Sequence, residues 1–137
     1  MFVERYARDF CRDTTLECRV AGAELVPDTP VAPETQNHVL AVVKEALNNV
    51  LKHAHATRVV LSFSVGESSV ELRIADDGIG FDPSAPEHAE RNGLHNMRTR
   101  VADTGGQLEV KSTVGQGTTI VIREPLAART STLQSAS

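Results

Sequence analysis

A chain of 137 residues has room for one domain, and a domain of this size hides roughly two-thirds of its unfolded surface, enough for a real core. With 40% hydrophobic and 23% charged residues, no run nears the ~20 apolar residues of a membrane helix, and Met1-Phe2-Val3-Glu4-Arg5 has no secretory character; a spanning or exported reading is excluded. Fourteen basic against eighteen acidic residues give net −4, and aromatics are 4% with no Trp, so neither a polyanion-binding surface nor a base-stacking platform is provided, which argues against nucleic acid as main partner.

Phe2, Val3, Tyr6 and Phe10 fall at helical spacing, so residues 2–13 read as a short amphipathic helix. Leu16, Cys18 and Val20 alternate with Glu17 and Arg19, the period of a half-buried strand. Residues 26–33 carry three prolines and no periodicity and form a connector. A helix opens at Pro33-Glu34, with Pro in the first turn and a carboxylate near the positive helix end, and runs to about His53. Val59, Leu61, Phe63 and Val65 share one strand face, as do Val70, Leu72 and Ile74; Gly66-Glu67-Ser68-Ser69 between them is turn chemistry for an antiparallel hairpin. A loop rich in Gly, Pro and charge fills 76–92. Leu94, Met97 and Val101 give a third helix stopped by Gly105-Gly106, and Leu108, Val110, Ile120 and Ile122 supply a last hairpin around Gly115-Gln116-Gly117. Pro125 ends the pattern; the small, polar residues 127–137 read as a disordered tail.

The order α-β-α-β-β-α-β-β predicts an α/β two-layer sandwich. Its sheet is mixed, mostly antiparallel and five-stranded, with three helices on one face. The first 126 residues form the domain.

Four features carry candidate chemistry. On a wheel of the second helix, Leu40, Val43, Ala46, Leu47, Val50, Leu51 and Ala54 make an apolar arc with Val39 at its edge, while Glu45, Asn49 and Lys52 gather on the opposite side, flanked by His53. Any surface helix shows such a stripe. Asn48-Asn49 in mid-helix nevertheless runs against propensity, and a carboxylate, an amide oxygen and a cation on one face suit Mg²⁺ and phosphates, since the metal wants hard oxygen ligands. Next, Asp76-Asp77-Gly78-Ile79-Gly80 follows a strand directly. Asp76 keeps the inward phase of Leu72 and Ile74, where a carboxylate needs donors such as a purine amine, and the glycines let backbone approach a ligand; an acidic strand-end turn is the plainer alternative. Asn92-Gly93-Leu94 exposes backbone N–H groups at a helix start, either an anion cradle or simple capping. Gly115-Gln116-Gly117-Thr118 is otherwise a hairpin turn.

Taken together, E-x-x-x-N on a helix, D-x-G-x-G after a strand, G-L at a helix start and G-x-G-T before the last strand resemble the ATP-binding catalytic domain of the GHKL superfamily, which includes histidine kinases, DNA gyrase, MutL and Hsp-ninety-class chaperones. The resemblance covers about residues 2–125. Within it, K-E-A-L-N-N-V-L-K-H-A-H-A and N-G-L-H-N-M-R-T-R-V look most like two-component sensor kinases that partner LuxR-type response regulators.

The resemblance implies a Bergerat-type ATP-binding fold, ATP and Mg²⁺ as cofactors, and a role for each matching position. Glu45 matches the glutamate that acts as general base or orients the nucleophile, Asn49 the Mg²⁺ ligand and Lys52 a phosphate contact, with His53 beside the nucleotide. Asp76 matches the aspartate that recognises the adenine amine, and Gly78 and Gly80 the first glycine box. Gly93 and Leu94 match the second box beside the triphosphate; Gly117 and Thr118 close the adenine side. Residues 82–92 would be a short lid without the family's phenylalanine box.

None of His38, His53, His55, His88 or His95 stands in the family's H-D or H-E acceptor context. The resemblance therefore implies a cytoplasmic segment of a longer protein, partnered by a histidine-bearing dimerisation domain of that protein and a downstream response regulator, with no nucleic-acid or membrane contact of its own. An anti-sigma-factor-type serine kinase and a non-catalytic ATP-dependent interaction module are the alternatives. Cys11 and Cys18 have no metal spacing with any histidine; a pairing stays open beside the ordinary reading of two free thiols in a reducing compartment.

Overall fold

The computed structural model describes residues 2–22, 33–53, 55–82, 84 and 94–125. The elements are α1 (Phe2–Arg12), β1 (Glu17–Ala21), α2 (Pro33–His53), β2 (Arg58–Val65), β3 (Ser69–Asp76), α3 (Leu94–Asp103), β4 (Gln107–Ser112) and β5 (Thr118–Pro125). Each lies where the hydrophobic periodicity places it. The connector from residue 26 to 32, nearly all of the 82–92 loop and the tail from 127 fall outside the described residues.

The sheet order is β1-β2-β3-β5-β4. β1 runs parallel to β2, and the other neighbours are antiparallel. Alternation fixes the register: Leu61 faces Ile74 and Phe63 faces Leu72 across β2–β3, and Ile74 faces Ile120 and Leu72 faces Ile122 across β3–β5. A slip by one residue would turn every one of these side chains outward. Their buried face receives Val3, Ala7 and Cys11 of α1, Val42, Val43, Ala46, Leu47 and Val50 of α2, and Met97 and Val101 of α3. Complete burial of a side chain such as Leu47 contributes roughly 2–3 kcal/mol. The other face is charged, with Arg123 Nε bonded to Glu71 Oε1 at 2.9 Å.

α3 stops as its glycines predict: Gly106 N–H bonds the Val101 carbonyl at 2.9 Å and Gly105 N–H that of Ala102 at 3.0 Å, which satisfies carbonyls the helix end would strand.

One expectation needs correction. Val42 is fully buried, whereas Leu51, placed in the apolar arc, is 42% exposed. The buried arc of α2 is thus turned by about 40° from the one read on the wheel, because α2 packs against both α3 and the sheet rather than the sheet alone. Asn49 lies within about 20° of Val42 on that wheel, so Glu45 and Asn49 are half-buried shoulders of the core and not the solvent side opposite it. Lys52 is exposed.

Candidate nucleotide site

β3 delivers Asp76 at the edge of the core. Its side chain keeps the phase of Leu72 and Ile74, and its cross-strand partners are Val59 on one side and Thr118 on the other. The inward carboxylate finds donors: Gly78 N–H bonds Asp76 Oδ1 at 2.8 Å, and the Thr118 backbone N–H also bonds the side chain. Burial still pushes its pKa up, with the Asp77 charge adding a little, against these two hydrogen bonds. A carboxylate has about four lone-pair sites, so two backbone donors leave acceptor capacity toward the helix layer. That capacity fits an exocyclic amine.

Asp77 points the other way and does structural work. Its Oδ1 accepts Thr57 N–H and Arg58 N–H, both at 2.9 Å, and its Oδ2 accepts Thr57 Oγ1–H at 2.7 Å. These bonds, the Thr57 hydroxyl first, lower its pKa to about 2. They also tie the start of β2 to the exit of β3. Because the segment from His53 to Arg58 is short, it spans at most about 18 Å, and the last turn of α2 lies at the same end of the sheet as Asp76.

The glycines bring backbone against backbone here. Gly117 has φ +80°, and a Cβ on it would collide with the Asp76 carbonyl oxygen; a Cβ on Gly80 would collide with the Thr113 carbonyl. The β3 exit and the β4–β5 hairpin are therefore in direct contact, which plain turn chemistry would not require. Ser112, which the sequence reading passed over, locks them: its Oγ accepts Phe81 N–H at 2.8 Å and lies 2.8 Å from Thr118 Oγ1. Its position opposite Thr118 in the β4–β5 register was the available signal.

The structure thus brings Asp76, Gly78, Gly80, Gly117 and Thr118 together at one end of β3 and β5. Glu45, Asn49 and Lys52 share the α2 shoulder on the helix side of that sheet, the side Asp76 also faces. Gly93 and the side chains of His53 and Leu94 lie outside the described residues. No group of three or more His, Cys, Asp or Glu side chains able to hold a metal occurs among the described residues. A divalent cation here would need oxygens from its ligand as well as from Asn49 or Glu45, the mode in which Mg²⁺ accompanies phosphates.

Residues 34–128 match the family described as histidine kinase-, DNA gyrase B- and HSP90-like ATPase. The sensor histidine kinase YhcY of Bacillus subtilis is 37% identical over 101 residues, 73% of this chain and 27% of that protein. The sensor histidine kinase LiaS of the same organism is 33% identical over 101 residues, 74% of this chain and 28% of LiaS; the chain thus spans less than a third of either relative. Among solved structures, the histidine kinase domain of the Erythrobacter litoralis EL346 blue-light activated histidine kinase superposes with a TM-score of 0.76 at 26% identity, covering 95% of this chain and 62% of that one. The ATP-binding domain of PrrB from Mycobacterium tuberculosis shares the fold, with a TM-score of 0.69 at 24% identity and 90% of both chains covered. The chain belongs to the histidine kinase-, DNA gyrase B- and HSP90-like ATPase family.

Proposed function

We propose that this chain is the catalytic ATP-binding domain of a sensor histidine kinase. It binds Mg·ATP and presents the γ-phosphate to a histidine on a separate dimerisation domain of the same protein, from which a response regulator is charged. The observation that carries the reading is the half-buried Asp76 carboxylate, facing the helix layer beside two backbone collars. Its neighbours Gly78, Gly117 and Thr118 hold backbone close on both sides of it. Asp76 accepts the adenine amine, and Gly78, Gly80, Gly117 and Thr118 form the walls of the base site.

On the α2 shoulder, Asn49 offers its amide oxygen to Mg²⁺ and Lys52 its ammonium to phosphate oxygens. His53, Gly93 and Leu94 complete the triphosphate side. Bound Mg·ATP supplies the transferable phosphoryl group and the charge neutralisation. The protein's own part is to hold that group in line and, through Glu45, to take the proton of the attacking imidazole. Sensor histidine kinases recur among the relatives, which favours this reading over the anti-sigma-factor-type serine kinase and over a module without phosphoryl transfer.

The test is to incubate this chain and the full-length protein separately with γ-labelled ATP. The full-length protein should gain acid-labile label, the mark of phosphohistidine. The chain alone should bind ATP and gain none, since its five histidines lack the acceptor context and His38 is already engaged, its Nδ1 bonded to the Arg100 carbonyl at 2.8 Å. Stoichiometric label on the chain alone, or acid-stable label on the full-length protein, overturns the reading.

A further inference from the structure

α1 and β1 meet at two sulfurs. Cys11 lies on the buried stripe of α1 with Val3 and Ala7 and is 6% exposed. Cys18 lies on the inward face of β1, half-buried against the same cluster. The reversal between them is pinned by its own bonds. Thr14 N–H and Oγ1–H both bond the Cys11 carbonyl at 3.1 Å, and Leu16 N–H bonds Thr14 Oγ1 at 3.2 Å. Glu17 N–H then bonds the Thr57 carbonyl at 2.9 Å, which anchors β1 on the sheet. The turn thereby brings both cysteines onto one core cluster where α1 meets β1, near enough for Cys18 to disfavour the Cys11 thiolate. Both are free cysteines.

We propose that Cys11 and Cys18 are a redox-modifiable pair, closed by peroxide into an intramolecular disulfide that clamps α1 onto the edge strand. The more accessible sulfur reacts first: Cys18 thiol and hydrogen peroxide give the sulfenic acid and one water. The Cys11 sulfur then attacks Cys18 Sγ; the S–S bond forms, the S–O bond breaks, and the departing hydroxide leaves with the Cys11 proton as a second water. Two thiols lose two electrons and peroxide gains them. Burial first, and the neighbouring Cys18 second, push the Cys11 thiol up to about 12. Cys11 is therefore a poor first target for an oxidant, because the thiolate is the reactive form. The same shift slows its attack on the Cys18 sulfenic acid, and proximity within one core cluster offsets that loss.

Arg8, Arg12 and Arg19 bracket the pair, so trypsin isolates each cysteine on its own peptide. The experiment treats the reduced native chain with hydrogen peroxide, alkylates remaining thiols under denaturing conditions, digests without reductant and weighs the products. The expected result is peptide 9–12 joined to peptide 13–19, lighter than their sum by two hydrogens and separated by dithiothreitol. The oxidised protein should stay monomeric with a Tm higher by roughly 5 °C. In Cys11→Ala, peroxide should instead leave Cys18 as sulfenic or sulfinic acid, or in an intermolecular dimer. Three outcomes in the wild-type chain overturn the proposal: Cys18 oxidised beyond sulfenic acid with Cys11 still alkylatable, a Cys18–Cys18 dimer, or no oxidation at peroxide levels that oxidise a free thiol.

Discussion

Asp76 and Thr118 are directly paired across the β3–β5 ladder, and the Thr118 backbone N–H bonds the Asp76 side chain while Gly78 N–H bonds the same group at 2.8 Å. The carboxylate is held by donors that are themselves fixed in a strand and a tight turn. Its orientation is set before any ligand arrives, and preorganisation of this kind spares a ligand the ordering cost. Asp76→Asn presents a donor where an exocyclic amine needs an acceptor. ATP affinity should fall roughly 30-fold or more, the cost of leaving a polar pair unmatched in a half-buried site. Calorimetry checks this. Equal affinity in the variant, or GTP binding as tight as ATP in the wild type, removes Asp76 from base recognition.

Gly117 and Gly115 allow a controlled comparison in one hairpin. Both hold positive φ, +80° and +85°, but a Cβ on Gly117 meets the Asp76 carbonyl whereas one on Gly115 meets nothing within 4 Å. Gly115→Ala should cost about 1 kcal/mol of backbone strain. Gly117→Ala adds a backbone collision and should cost about 3 kcal/mol or more, with weakened ATP binding. Urea unfolding measures both; equal losses would mean that the close approach of the hairpin to β3 is not stabilising.

The strands, helices and their order were legible because each carries a clean period of two or 3.6. The α2 face was not. A wheel shows which residues are apolar but not which neighbour they meet, and the packing of α3 beside α2 turned the buried arc toward Val42 and drew Glu45 and Asn49 to the rim. Glu124 was missed although it keeps the inward phase of Ile120 and Ile122, the same signal that exposed Asp76. The difference is that Asp76 is followed by glycines and Glu124 by Pro125, which reads as an ending. The meeting of Cys11 and Cys18 on one core cluster depends on a chain reversal that spacing alone does not encode.

Glu124, 1% exposed, accepts the Thr104 hydroxyl, whose Oγ1 lies 2.9 and 2.8 Å from its two oxygens. Burial raises its pKa above the ordinary 4.5, opposed by the Thr104 bond and by the charge of His38. The folded chain therefore keeps a proton that the unfolded chain has released, so stability falls as pH rises from 4.5 through the raised value. Asp77 acts in the opposite sense: its stabilisation is present above its ordinary 3.8 and is lost as pH falls toward about 2. Glu124→Gln should reduce the first slope, leaving the share that the raised Asp76 contributes, and keep the second. Urea midpoints of the two proteins across pH 3–8 should diverge on the upper side; parallel curves would show that Glu124 does not titrate in the folded state.

Asn49 and Glu45 stand one helical turn apart on the α2 shoulder, both half-buried, and their proposed roles separate cleanly in kinetics. Asn49→Ala removes an oxygen ligand of a cation that has few protein ligands to spare. ATP affinity should drop about tenfold or more with Mg²⁺ present and change little when EDTA replaces it. Glu45→Gln keeps shape and hydrogen bonding but cannot take a proton. Binding should stay within about twofold, while phosphoryl transfer in the full-length protein slows by roughly 10²-fold, the usual worth of a positioned base. The pairing of assays decides the assignment. A Glu45→Gln protein that binds poorly yet transfers normally per bound nucleotide places Glu45 among the ligand contacts and leaves the proton to another group, and an Asn49→Ala defect independent of Mg²⁺ takes the metal away from α2.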